Sequence, residues 1–118
     1  VRIYSFGRES GRAVEAFGSH GLTVAGILGG SGETHMVCMH IEAGGEVGRH
    51  EAVSEQLFLV VQGEGWVSGQ DGAKTPIGPG QAAYWEKGEH HASGSAGGMT
   101  AVVVEGEGFE LRLKEIAR

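Results

Sequence analysis

Six histidines, at positions 20, 35, 40, 50, 90 and 91, are the side chains best suited to ligate a metal, move a proton or hold a polar ligand near neutral pH. Two of the segments around them concentrate further polar groups. One reads His50-Glu51-Ala52-Val53-Ser54-Glu55-Gln56, and the other Glu86-Lys87-Gly88-Glu89-His90-His91. Other chemistry finds less support. The single cysteine, Cys38, has His40 as its nearest base, and two residues along one strand face stand about 7 Å apart, too far for direct activation. A buried structural thiol is the expectation. A zinc site of Cys38, His40 and His50 would have no recognised spacing, and no serine sits in a nucleophile-elbow pattern. Gly63-x-Gly65 and Gly78-x-Gly80 are not followed by helical periodicity, so they read as turns rather than phosphate loops.

Glycines frame both histidine segments. Gly44 precedes His50 by six positions, Gly63 follows Gln56 by seven, and the second segment reads Gly80-x5-Glu86-x-Gly88-x2-His91. In this frame the sequence resembles the cupin superfamily, small jelly-roll barrels of antiparallel strands. The first motif of that family is a glycine, five residues, His-x-His, three or four residues, a glutamate, six residues and a glycine. The second is a glycine, five residues, Pro-x-Gly, two residues and a histidine. The resemblance spans 36–105 and implies a metal site built from two histidines and a glutamate of the first motif and the histidine of the second. Carried over position by position, it leaves His50, Gln56 and His91, because Ala52 replaces the second histidine, Gln56 the glutamate and Glu86 the proline.

Strand geometry agrees with this register. His50, Ala52, Gln56 and Phe58 share parity, so on extended strands they point to one face, expected to be the barrel interior. Glu51 and Glu55 point the other way, and Glu55 could replace Gln56 only with a turn one residue shorter. Two imidazoles and an amide would hold zinc, nickel, iron, manganese or copper more weakly than the full set, with water or a chelating substrate completing the shell. Magnesium and calcium are disfavoured. The alternative is a metal-free pocket in which His50, Gln56 and His91 hydrogen-bond a ligand or water, with Phe58, Tyr84 and Trp85 as candidate lining. His90 has the parity opposite to His91 and is expected at the rim. His40 shares the Cys38 face, opposite Met39 and Ile41, and His20 and His35 fall at strand ends.

These residues need short strands to position them. Of 118 residues 23 are glycine and only two proline, with no collagen-like period. Glycine therefore punctuates apolar runs at 21–28, 35–42, 56–62, 66–68, 74–77, 82–86, 90–95, 100–105 and 109–113. The pattern predicts an all-β sandwich or barrel of about nine to eleven short strands, and the resemblance implies that it is an antiparallel double-stranded β-helix, a jelly-roll barrel. The pattern also predicts a single domain over 1–118, with 1–35 and 106–118 as extra strands. Gly29-Gly30-Ser31-Gly32 and Asp71-Gly72 read as hairpin connections. Leu57, Leu59 and Val61 alternate with Phe58 and Val60, so this strand should be covered on both faces, by its own chain or by a second subunit in a homodimer.

The net charge of −6 disfavours nucleic acid or an anionic membrane as the main partner. One cysteine, no signal-peptide pattern and no spanning apolar run lead to the expectation of a soluble cytoplasmic protein that binds a small molecule. If catalytic, the resemblance implies dioxygenase, isomerase, epimerase or lyase chemistry on a small oxygenated substrate, with Glu51 and Glu86 as the nearest acid/base candidates. A non-enzymatic ligand-binding or sensing module is the alternative, and a structural or storage role the third.

Overall fold

The computed structural model describes residues 4–5, 7–29 and 34–116. Among them lie nine strands: β1 (Arg12–Ala13), β2 (His20–Leu28), β3 (His35–Glu51), β4 (Glu55–Gly63), β5 (Gly65–Ser68), β6 (Lys74–Ile77), β7 (Ala82–Trp85), β8 (His90–Gly94) and β9 (Met99–Gly106). All pairings are antiparallel. The order β6-β5-β8-β3-β9-β4-β7, with β2 on β3 and β1 on β2, is that of a jelly-roll barrel. The all-β class read from the glycine punctuation is that of the molecule, and eight of the nine expected runs fall on strands. The glycines of the expected 29–32 connection lie largely outside the described residues.

β3 departs from the expected short strands. It runs unbroken for 17 residues, pairing with β2 and β9 over its first half and with β8 over its second. The change of partner falls at Gly44, where φ is +78°, and Gly45, whose missing Cβ would meet the Gly21, Glu42 and His20 carbonyls at 2.8 to 3.0 Å. Two adjacent residues without side chains let one strand serve both halves of the barrel.

Inward parity builds the core. Ile41, Val47, Phe58, Val60, Val67, Ile77, Trp85, Met99, Ala101 and Val103 are all buried in one cluster. The opposite face of the β2-β3-β9-β4-β7 sheet is also apolar. Cross-strand register lines up Ala25, Cys38, Val102, Leu59 and Ala82 in one row, and Met36, Val104, Leu57 and Tyr84 in the next. Ala25 and Cys38 are fully covered, while Val61 stays 55% exposed.

Beyond Gly106 the expected terminal strand does not form, although Phe109, Leu111 and Leu113 alternate with charged residues. The Glu55 carboxylate accepts the Gly108 and Phe109 N–H groups, which removes donors that a strand would give to a ladder. Leu111 and Leu113 are left half exposed. Before β2, likewise, the described chain contributes only β1 and two 3-10 turns, Arg8–Ser10 and Ala16–Gly18.

The four glycines that framed the histidine segments, Gly44, Gly63, Gly80 and Gly88, all adopt left-handed backbone, with φ between +78° and +89°. At Gly63 a Cβ would also lie 2.1 Å from the Gly98 carbonyl oxygen. Gly63→Ala is therefore expected to destabilise the fold by about 2 kcal/mol or more in denaturant melts. Gly97→Ala, where a Cβ meets nothing within 4 Å, is the matched control and should stay within about 0.5 kcal/mol of the parent.

Candidate functional site

The second half of β3 and the start of β8 place His50 directly opposite His91. β4 places Gln56 opposite both Trp85 of β7 and Glu105 of β9. These five side chains share the inward parity of their strands and meet at one end of the barrel. The imidazoles of His50 and His91 stand 4.4 Å apart, tilted by 54°. Trp85 stacks on the other side of His91 at 4.4 Å, and Phe58 meets Trp85 edge-on at 5.8 Å. Phe17, from the turn before β2, lies flat on His50 at 4.4 Å and 7°. Five rings thus form one continuous run of contacts, two of them stacked.

Hydrogen bonds set the orientation of each polar group. His50 Nδ1 donates to the Gly48 carbonyl at 2.7 Å, and His91 Nδ1 to the Glu89 carbonyl at 3.3 Å. A carbonyl can only accept, so each ring, in its neutral form, carries its proton on Nδ1 and turns the Nε2 lone pair away. Gln56 donates its amide to Glu105 Oε1 at 2.8 Å. Trp85 donates its indole N–H to the Ser68 carbonyl at 3.1 Å. Burial, and next the neighbouring His50, push the His91 imidazole down to about 4, so it is neutral at physiological pH.

The structure brings together His50, Gln56 and His91 from the sequence reading, with Phe58 buried beneath them. Tyr84 is corrected. Its register with Leu57 puts it on the outer face, where its hydroxyl donates to Glu55 at 2.7 Å, and Trp85 takes the interior position. That bond raises Tyr84 to about 12 and lowers the Glu55 carboxyl. Glu51 and Glu86 are exposed, outside the barrel. His90 is half-buried on the face away from His91, and its Nδ1 has no partner among the described residues. Cys38 is buried, which raises its thiol pKa and makes it a poor nucleophile.

Glu105 and Phe17 were missed. Glu105 follows Ala101 and Val103 on the inward parity of β9, so a charged residue at the end of an apolar alternation was the available signal. Phe17 had none, because its position depends on backbone. It holds φ +61° and ψ +26°, a strained conformation for a bulky residue. The Phe17 carbonyl oxygen sits where a Gly48 Cβ would be, and Gly48 N–H donates to Ser19 Oγ at 3.0 Å. The ring itself is 65% exposed.

The donor set is short of a metal centre. Two imidazole nitrogens are available, but the third family position is a neutral amide tied to Glu105. Among the described residues no three His, Cys, Asp or Glu side chains are grouped to hold an ion. Two surface hollows lie elsewhere. One is lined by Glu64, Pro76, Pro79 and Gln81, the other by Arg8, Glu42, Gln62 and Thr100, and neither contains a histidine.

Because His91 is protonated more readily unfolded than folded, the unfolded chain takes up a proton as pH falls from about 6.5 toward 4. Stability from this group is complete above that window and is lost within it, at a steepest slope of about 1.4 kcal/mol per pH unit. Denaturant melts between pH 7 and 4 should show that slope in the parent protein. His91→Gln, which cannot take up the proton, should lose it.

Among solved structures, this chain is similar to a predicted oxalate decarboxylase from Thermotoga maritima, at 20% identity and a TM-score of 0.74 over 86% of this chain and 96% of that one. It is similar to the polyketide cyclase RemF from Streptomyces resistomycificus, at 20% identity and a TM-score of 0.73 over 89% and 80%. KdgF from Halomonas sp. matches at 19% identity and a TM-score of 0.70 over 81% and 85%. At such identities the likeness establishes the fold. No curated protein sequence matches the chain. The model of the cupin domain matches residues 37–107, more than half of the sequence and both histidine segments; the chain therefore belongs to the cupin family.

Proposed function

We propose that this cupin binds a small molecule at the His50–His91 end of its barrel through hydrogen bonds rather than through a resident metal. The observation that carries this reading is the Gln56–Glu105 bond. It engages the side chain at the third ligand position and leaves two imidazoles as the only nitrogen ligands. His50 and His91 then act as oriented acceptors, fixed by the Gly48 and Glu89 carbonyls, and Trp85 supplies an apolar wall. Phe17 covers His50, so it is the residue that moves when a ligand enters; its exposed ring and strained backbone suit that role. The solved relatives include a predicted decarboxylase and a cyclase, so a reaction must be argued from the site.

A second reading has one observation in its favour. Both Nε2 lone pairs are free of hydrogen bonds within the described chain, and a transition metal could bridge them weakly, with open positions for substrate. A cation there would supply Lewis acidity. Metal analysis of protein purified without added metal or chelator separates the two. The hydrogen-bonding reading expects well below one metal per chain, unchanged in His50→Ala. Near-stoichiometric metal that falls in His50→Ala would establish the second reading instead.

We also propose that the apolar outer face of the β2-β3-β9-β4-β7 sheet pairs with a second copy of this chain. Leu57 and Leu59 are half-buried there and Val61 is exposed beside them, an arrangement that favours apolar, self-complementary contact. Sedimentation should give a mass near twice the 12.3 kDa of one chain. Val61→Asp should shift it toward the single-chain mass without unfolding the protein.

A further inference from the structure

The polar atoms at the mouth are unequal in kind. His50 Nε2 and His91 Nε2 are acceptors, since both rings donate through Nδ1. Glu105 accepts from Gln56 with one oxygen and has a second oxygen without a hydrogen bond or ion pair among the described residues. Gln56 adds a carbonyl oxygen and one remaining N–H. His91 and Gln56 are 3% and 6% exposed, yet their unused acceptors are not among the fully buried unpartnered atoms of the described residues, so a ligand at the mouth can reach them. A ligand that brings donors can pair with these acceptors, which are held in place by the hydrogen bonds on their far sides.

The charge around them points the same way. Glu51 ends β3, Glu55 begins β4, Glu86 and Glu89 flank the β7–β8 turn, Glu105 lies near the end of β9 and Glu107 just beyond it. The cross-strand pairs Glu51 with His90 and Gln56 with both Trp85 and Glu105 put these ends together. The cations nearest along these strands are engaged: Lys87 with Glu107 at 3.4 Å, and Arg49 with the Gly69 and Gln70 carbonyls.

We infer that this end of the barrel binds a small protonated amine carrying hydroxyl groups, with Glu105 as its counter-ion. Gln56 holds the carboxylate in place, the ammonium donates to the free Glu105 oxygen, and hydroxyls donate to the two Nε2 atoms. The carboxylate of the pocket thus comes from β9 rather than from the first-motif position, where Gln56 stands. An anionic ligand is disfavoured, because no described residue at the mouth offers it a free cation. The inference rests on the proposal that His50 and His91 form a binding pocket.

Three sugars of one ring shape test it: glucosamine, glucose and glucuronate, titrated calorimetrically at pH 7 into the parent chain and into His50→Ala, Glu105→Gln and Glu105→Asp. Glucosamine is expected to bind about tenfold or more tighter than glucose, as a charge-assisted bond requires, and glucuronate the weakest. Glu105→Gln should bring glucosamine to within about twofold of glucose, whereas Glu105→Asp should keep the order. If glucose or glucuronate binds in a His50-dependent way and glucosamine shows no preference, the inference falls and the pocket stands. An amine preference that survives Glu105→Gln also overturns it. If none of the three binds in a His50-dependent way, the inference falls together with the pocket reading.

Discussion

β3 has to be part of two sheets at once, and the backbone at Gly44 and Gly45 is where that becomes possible. Its first half is sandwiched between β2 and β9, and its second half pairs with β8. Any side chain at Gly45 would press on three carbonyl oxygens, and Gly44 N–H closes the corner by donating to the Ser95 carbonyl at 2.9 Å. Only because the strand turns there does His50 arrive opposite His91. The histidine pair, the stack on Trp85 and the cover of Phe17 all follow from that one corner.

The site is then a competition among partners for a few oriented atoms. Gln56 has the position that a metal-binding relative would fill with an anion, yet its amide is engaged by a carboxylate from a neighbouring strand. A carboxylate still stands beside this position, supplied by β9 rather than by β4. The two imidazoles are fixed through backbone carbonyls rather than through side chains. Their orientation therefore depends on strand geometry rather than on outward side chains such as Glu51.

Strand positions were legible because glycine and apolar alternation are local signals, and eight of the runs read from them coincide with strands. The inward sense of His50, Gln56 and Phe58 followed from parity within one strand. Tyr84 against Trp85 was not legible in the same way. That choice depends on the register of β7 on β4, which pairs Gln56 with Trp85 and is set by packing between distant segments. The tail was misread for a related reason: alternation describes a strand only where a ladder accepts it, and Glu55 took up the amides of Gly108 and Phe109. Phe17 was invisible because its place is fixed by a left-handed backbone and by the absent side chain of Gly48.

The chain has two tryptophans, and they sit in opposite settings. Trp66 is half-buried on the outside of the barrel with the Lys74 ammonium 4.2 Å above its ring. Trp85 is sealed in the interior, stacked on a neutral imidazole. An imidazolium quenches indole emission far more strongly than a neutral ring does. The Trp85 fluorescence is thus a built-in optical gauge of the protonation and displacement of His91, readable without any added label.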